Sequence, residues 1–172
     1  LSGDSTFTAL FETDPDWQPV TFPKIYINEV VASNHTLVDN YGENPDWIEL
    51  YNPTDSVVDL AGWYISDETE YTTKHKFVNS DSTKIPAHGF LLLYADNETD
   101  QGATHVSFKL DSGGDNIFLT ASDALTLIDS VSFGFQVSDT SFGRYTDGGP
   151  DWFFMSYTTP GASNVHIDVP TI

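Results

Sequence analysis

The sequence predicts an all-β fold, an immunoglobulin-like β-sandwich. Short segments rich in β-branched and aromatic residues recur along the chain, turn signals separate them, and no window of useful length keeps a 3.6-residue apolar period. Many short strands at that spacing bury their apolar faces by stacking as two sheets or closing into a barrel. With 172 residues the chain fits one domain, and a domain of that size buries roughly 70% of its unfolded surface, enough for a core without cross-links. Cysteine is absent, which removes disulfides, thiolate metal sites and cysteine nucleophiles but leaves the compartment open.

Residues 1–24 carry an edge-strand candidate, "TFTALF", and continue as "TDPDWQPVTFPK". There Pro15, Pro19 and Pro23 fix φ and withhold backbone donors, so the segment reads as a Pro-rich lead-in or linker. Trp17 within it has the sandwich or a neighbouring domain to pack against. The folded domain spans 25–164. "KIYINEVVAS" alternates, which places Ile25, Ile27, Glu29 and Val31 on one face and Tyr26, Asn28 and Val30 on the other. "DWIELYN" sets Trp47, Glu49 and Tyr51 opposite Ile48 and Leu50. The strands "GWYIS", "KHKFV", "GFLLLYA", "VSFKL", "NIFLT", "LTLIDSVSF", "FGRYT" and "WFFMS" follow, with turns at "YNPTD", "PAHG", "DSGGDN" and "TDGGPD". Residues 165–172, "VHIDVPTI", read as an extended C-terminal extension.

An ordered set of these segments resembles the lamin-tail domain family, in particular its bacterial members. The set is "INEVVASN", "DWIELYNPTDSVVDLAGWYISD", "IPAHGFLLLYAD", "FKLDSGGDNIFLTASD", "DSVSFGFQVSDTSFGRYTDG" and "TTPGASN". The resemblance implies an immunoglobulin-like sandwich with no catalytic residues of its own. It implies an accessory module of a larger secreted or cell-surface protein in bacteria, a tether, spacer or binding domain working through sandwich loops and edges. The chain has no heptad rod, no basic localisation cluster and no prenylation cysteine, so nuclear function is not carried over.

Charge narrows the partners. Twenty-six acidic residues stand against six Lys plus Arg, a formal net charge of −20. Such a surface repels phosphate backbones and anionic membranes, and no apolar run approaches the ~18 residues of a membrane span. Nucleic acid and direct membrane insertion are therefore excluded as expectations. Neighbouring domains of the same polypeptide and an envelope or matrix ligand remain. An aromatic content of 14% argues against disorder despite the charge.

The carboxylates admit three readings. In the first they are frame: Arg144, the sole arginine, sits in a strand-like motif and is expected to form a structural ion pair with Glu49 or Glu29. Trp47, Trp63 and Trp152 are then core aromatics. In the second, the domain is a calcium-dependent carbohydrate-binding module. It would use exposed planar aromatics and the loop "VDNYGENPD", with Asp39, Glu43 and Asp46 as ligands, or "ADNETDQG" with Asp96, Asn97, Glu98 and Asp100. In the third, a small hydrolase uses Glu49 and another carboxylate facing one cleft. On the hydrolase reading Glu49→Gln abolishes activity at unchanged stability; on the frame reading it lowers stability. His35, His75, His88, His105 and His166 show no zinc-binding spacing, which leaves only spatial convergence as a route to zinc. No cofactor other than calcium is expected.

Overall fold

The computed structural model describes residues 20–166. It is nearly all β, as the sequence predicts. The strands are β1 (Tyr26–Val31), β2 (Asp46–Tyr51), β3 (Val58–Asp59), β4 (Tyr64–Ser66), β5 (His75–Lys76), β6 (Lys84–Ile85), β7 (Phe90–Ala95), β8 (His105–Val106), β9 (Gly114–Thr120), β10 (Leu127–Gly134), β11 (Ser141–Arg144) and β12 (Trp152–Met155). A six-stranded sheet runs in the order β12-β11-β1-β2-β7-β8, a four-stranded sheet in the order β10-β9-β4-β5, and β3 and β6 form a small ribbon. All pairings are antiparallel except β7 with β8. The expected strand "TFTALF" and Trp17 lie outside the described residues.

The inter-sheet core holds Ile25, Ile27, Val30, Ile48, Leu50, Trp63, Ile65, Phe77, Leu93, Ile117 and Leu119 among others, all almost wholly buried. The end of the expected lead-in joins it: Phe22 meets Trp63 edge-on at 6.0 Å, and Lys24 binds Asp129 of β10 at 3.4 Å. Glu29 and Val31 do not share a face with Ile27, contrary to strict alternation. Ile27 pairs with Leu50, yet Glu29 pairs with Glu49, so Asn28 is an extra residue in β1. A bulge of this kind reverses every face assignment after it. Val30 thereby turns into the core, and Glu29 and Val31 turn outward, alongside Trp47 and Glu49.

That outward face is itself covered. Residues 157–164 cross it as a strap that bonds to Glu29 and Glu49, and both glutamates, with Val31, Trp47 and Met155, are buried. The strap bends at Thr159–Ala162, where the Ala162 N–H donates to the Thr159 carbonyl at 3.0 Å and Gly161 takes a φ of +78°. Pro160 followed by a left-handed glycine is the signature of a type II turn.

Candidate functional site

Two clusters of buried acids stand out among the described residues, and the sequence named the members of the first, Glu29 and Glu49, only as alternative partners of Arg144. Glu29 and Glu49 face each other across β1 and β2, both fully buried. Arg144 does not reach either of them. Along β11 it is Gly143 that lies opposite Glu29, so Arg144 points to the other face, into the space between the sheets. There its Nη2 contacts both oxygens of Asp129 at 3.2 and 3.1 Å, and its Nε donates to the Ile27 carbonyl at 2.8 Å. A further bond runs from Nη1 to the Gly149 carbonyl. The guanidinium lies between the rings of Tyr26 and Trp152, 5.2 and 4.6 Å from their centroids. Asp129 also accepts the Ile27 N–H at 2.8 Å, so this ion pair binds one sheet to the other. Expectation assigned Arg144 the right kind of partner on the wrong face. The missed signal was Asp129 itself, an acid set among the alternating apolar residues of "LTLIDSVSF".

Strap and bulge together supply the donors for Glu29 and Glu49. Glu29 accepts from the Thr159 N–H at 3.1 and 3.2 Å and from the Thr159 hydroxyl at 2.9 Å. Glu49 accepts from the Gly161 N–H at 2.6 Å and, at 3.4 Å, from the Asn28 side-chain amide. Asn164 pins the strap by donating to the Asn28 and Arg144 carbonyls at 3.0 and 2.8 Å. Gly143 leaves room for it, since a Cβ there would stand 2.9 Å from the Asn164 amide nitrogen. Loss of water pushes Glu49 up to about 8, and the neighbouring charge of Glu29 adds to the effect while the Gly161 N–H opposes it. Burial raises Glu29 as well, partly offset by the donors around it. A carboxyl held protonated at neutral pH is the property a general acid needs. The strap lies over both carboxyls, and neither lines the three cavities at the Asp46–Asp67 cleft, beside β12 and beside Asp96.

The core aromatics divide three ways. Trp63 lies in the inter-sheet core, Trp47 is equally buried but on the outward face of β2, beside Val31 and Tyr94, and Trp152 is partly buried, stacked on Phe142 at 5.0 Å. Trp47 and Trp63 therefore offer no platform to a sugar ring.

Among the expected calcium ligands, Asp39, Glu43 and Asp46 do not form a common group. Asp46 accepts the Asn34 N–H at 3.2 Å, and Glu43 extends to the Gln101 amide at 3.1 Å. Asp39 converges instead with Asp96 and His105, the second acidic centre, where one ligand atom from each lies within 4.8 Å of the others. Asp96 was singled out in a different loop and His105 as one of five scattered histidines. Sequence could not unite them, because two pairings bring the loops together: β2 with β7, which sets Asp46 beside Ala95, and the parallel β7 with β8, which sets Tyr94 beside His105.

With both sheets in place, the model of the Lamin Tail Domain family matches residues 18–135. The chain belongs to the lamin tail domain family. No curated protein and no solved structure matches it. The matched span of the lamin tail domain contains β1 to β10 and ends before β11, so Arg144 and the strap lie beyond it. An immunoglobulin-like domain of this family is consistent with a non-catalytic module.

Proposed function

We propose that this lamin tail domain is a non-catalytic accessory module of a larger secreted or cell-surface protein of bacterial type. It serves as a tether, spacer or binding domain and meets neighbouring domains, or an envelope or matrix ligand, through its loops and sheet edges. The observation that carries the reading is the closure of the Glu29–Glu49 pair. The carboxyls best suited to acid-base chemistry are committed to Thr159, Gly161 and Asn28, and a catalytic acid has to touch its substrate. The high negative charge supports the extracellular setting, since it disfavours nucleic acid and anionic membrane as partners. Exposed apolar side chains near β12 support an interaction role: Phe135, Val137 and Phe154 line one shallow groove and are each more than half exposed.

The test compares the wild-type chain with Glu49→Gln on chromogenic glycosides, phosphate esters and carboxylic esters. Both are expected to match buffer alone. Turnover by the wild type that vanishes in a folded Glu49→Gln variant would establish the hydrolase instead. In the parent polypeptide, excising residues 20–166 is expected to change where the protein is retained while leaving turnover by its neighbouring domains unaltered.

A further inference from the structure

The second acidic centre lies where the loop after β7 and the start of β8 meet the turn at Asp39. Asp39, Asp96 and His105 are all more than nine-tenths buried. Each is held from behind. Asp39 Oδ1 accepts the backbone N–H groups of Tyr41 and Glu43 at 2.8 and 2.9 Å, and Asp96 Oδ1 accepts that of Glu98 at 2.9 Å. The His105 ring is fixed by Tyr94, 4.9 Å away and tilted, and by Tyr41, edge-on at 6.0 Å. Its Nδ1 stands 2.6 Å from Asp96 Oδ2.

One atom has no counterpart in that arrangement. Asp39 Oδ2 is buried, and no hydrogen-bond donor among the described residues reaches it. A carboxylate oxygen left bare inside a protein keeps the full cost of its lost hydration, and the ordinary remedies are a donor, a cation or a metal. Here the carboxylate with the bare oxygen is the one that converges on a second carboxylate and an imidazole.

We propose that Asp39, Asp96 and His105 form a binding site for a borderline divalent transition ion, zinc(II) in the first instance. The donor set decides the class. One imidazole nitrogen with two carboxylate oxygens suits zinc, which takes four ligands near 2.0–2.2 Å and accepts a water as the fourth. Calcium asks for six to eight oxygens, and this centre has too few and carries a nitrogen. Entry of the ion replaces the His105–Asp96 hydrogen bond with two bonds to the metal. Their atoms move from 2.6 Å to the separation of about 3.4 Å expected between neighbouring ligands on tetrahedral zinc, within reach of small side-chain rotations. A shallow cavity lined by Glu43, Asn44, Pro45, Asp96, Glu98 and Lys109 opens beside Asp96 and gives an approach. The net charge of −20 raises the local concentration of cations around it. A bound ion would clamp the Asp39–Glu43 turn to the end of β7 and β8.

The experiment uses the whole chain, freed of metal by a chelator that is then removed, and titrates it with zinc chloride by calorimetry in a non-coordinating buffer. Saturable binding of one zinc per chain is expected. At a hundredfold excess over the dissociation constant the thermal midpoint should rise by roughly 5–11 °C, with no comparable rise from calcium chloride. Asp39→Asn and His105→Gln, each checked for native circular dichroism, should bind at least tenfold more weakly. In wild-type protein labelled at histidine, zinc should shift the ring nitrogens of His105 before those of His35, His75, His88 or His166, a readout independent of variant folding. Absence of stoichiometric binding overturns the proposal. So does unchanged affinity in Asp39→Asn, or first perturbation of a different histidine.

Discussion

Glu29 and Glu49 lie mid-strand under the strap, whereas Asp39 and Asp96 lie in loops at one end of the same sheet. Both pairs are buried, yet the chain treats them in opposite ways. Around the glutamates, the strap turn and the bulge residue Asn28 aim donors at the carboxyl oxygens, and burial keeps Glu49 protonated at neutral pH. Around the aspartates the loops secure one oxygen of each carboxylate from behind and leave Asp39 Oδ2 without a donor. Burial alone thus says little about the purpose of an acid. The supply of donors separates a carboxyl used as frame from one left with capacity for a ligand.

The largest effect that tests this contrast is on pH dependence. Glu49 has a folded value of about 8 against an ordinary 4.5. Its contribution is fully present below pH 4.5 and is lost as pH rises toward 8, because over that window the folded state holds a proton that the unfolded state has released. Glu49→Gln imitates the protonated side chain, so it should flatten the profile. By pH 8 to 9 the variant should be the more stable, relative to their difference at pH 4.5, by on the order of 4 kcal/mol in denaturant melts. This replaces the expectation that the substitution simply lowers stability. His75, whose burial lowers its value, loses stability only as pH falls below its ordinary 6.5, and it is common to both proteins.

Next in size is Asn164→Ala. It strips donors from the Asn28 and Arg144 carbonyls and removes the side-chain oxygen 2.8 Å from the Thr159 hydroxyl, which should cost about 2–3 kcal/mol. Gly143→Ala pushes a Cβ against the same amide and should cost about 1–2 kcal/mol. The double variant should fall short of the sum, since either change alone already frees the strap. The smallest effect is expected at the other centre. In chelator, Asp39→Asn should lie within about 1 kcal/mol of the wild type, because the loss of two charge-assisted loop bonds is offset by relief of the bare oxygen. A loss as large as that of Asn164→Ala would place Asp39 with the frame and dissolve the contrast.

How far the sequence disclosed these arrangements depends on whether a rule of period two held. The sandwich, most of the strand positions from "DWIELYN" to "WFFMS" and the burial of Trp47 and Trp63 were legible because alternation and turn residues are local signals; "VSFKL" was the exception, only Val106 joining β8 and Lys109 making a lone bridge to Asp96. The inserted Asn28 was not, since a bulge leaves no mark in the apolar pattern, and it reversed the faces of Glu29 and Val30. Arg144 was correctly expected to bind a carboxylate, but its face depended on the pairing of β11 with β1, which no local pattern encodes. The two-residue strands β3 and β6 were too short to show a period. His105 joined Asp39 and Asp96 only through a parallel pairing that the residues around each of them do not announce.

The strap has a consequence for the order of events when the chain folds. Thr159 lies 130 residues from Glu29, and Gly161 lies 112 from Glu49. During synthesis β1 and β2 emerge long before their cover, so both glutamates meet water first and are ionised at neutral pH. Closing the strap is expected to follow the pairing of β11 and β12, which already holds Gly143 opposite Glu29, and to take up a proton as it occurs. Alkaline conditions withhold that proton, so closure of the strap over Glu49 is expected to weaken as pH rises toward 8 and beyond.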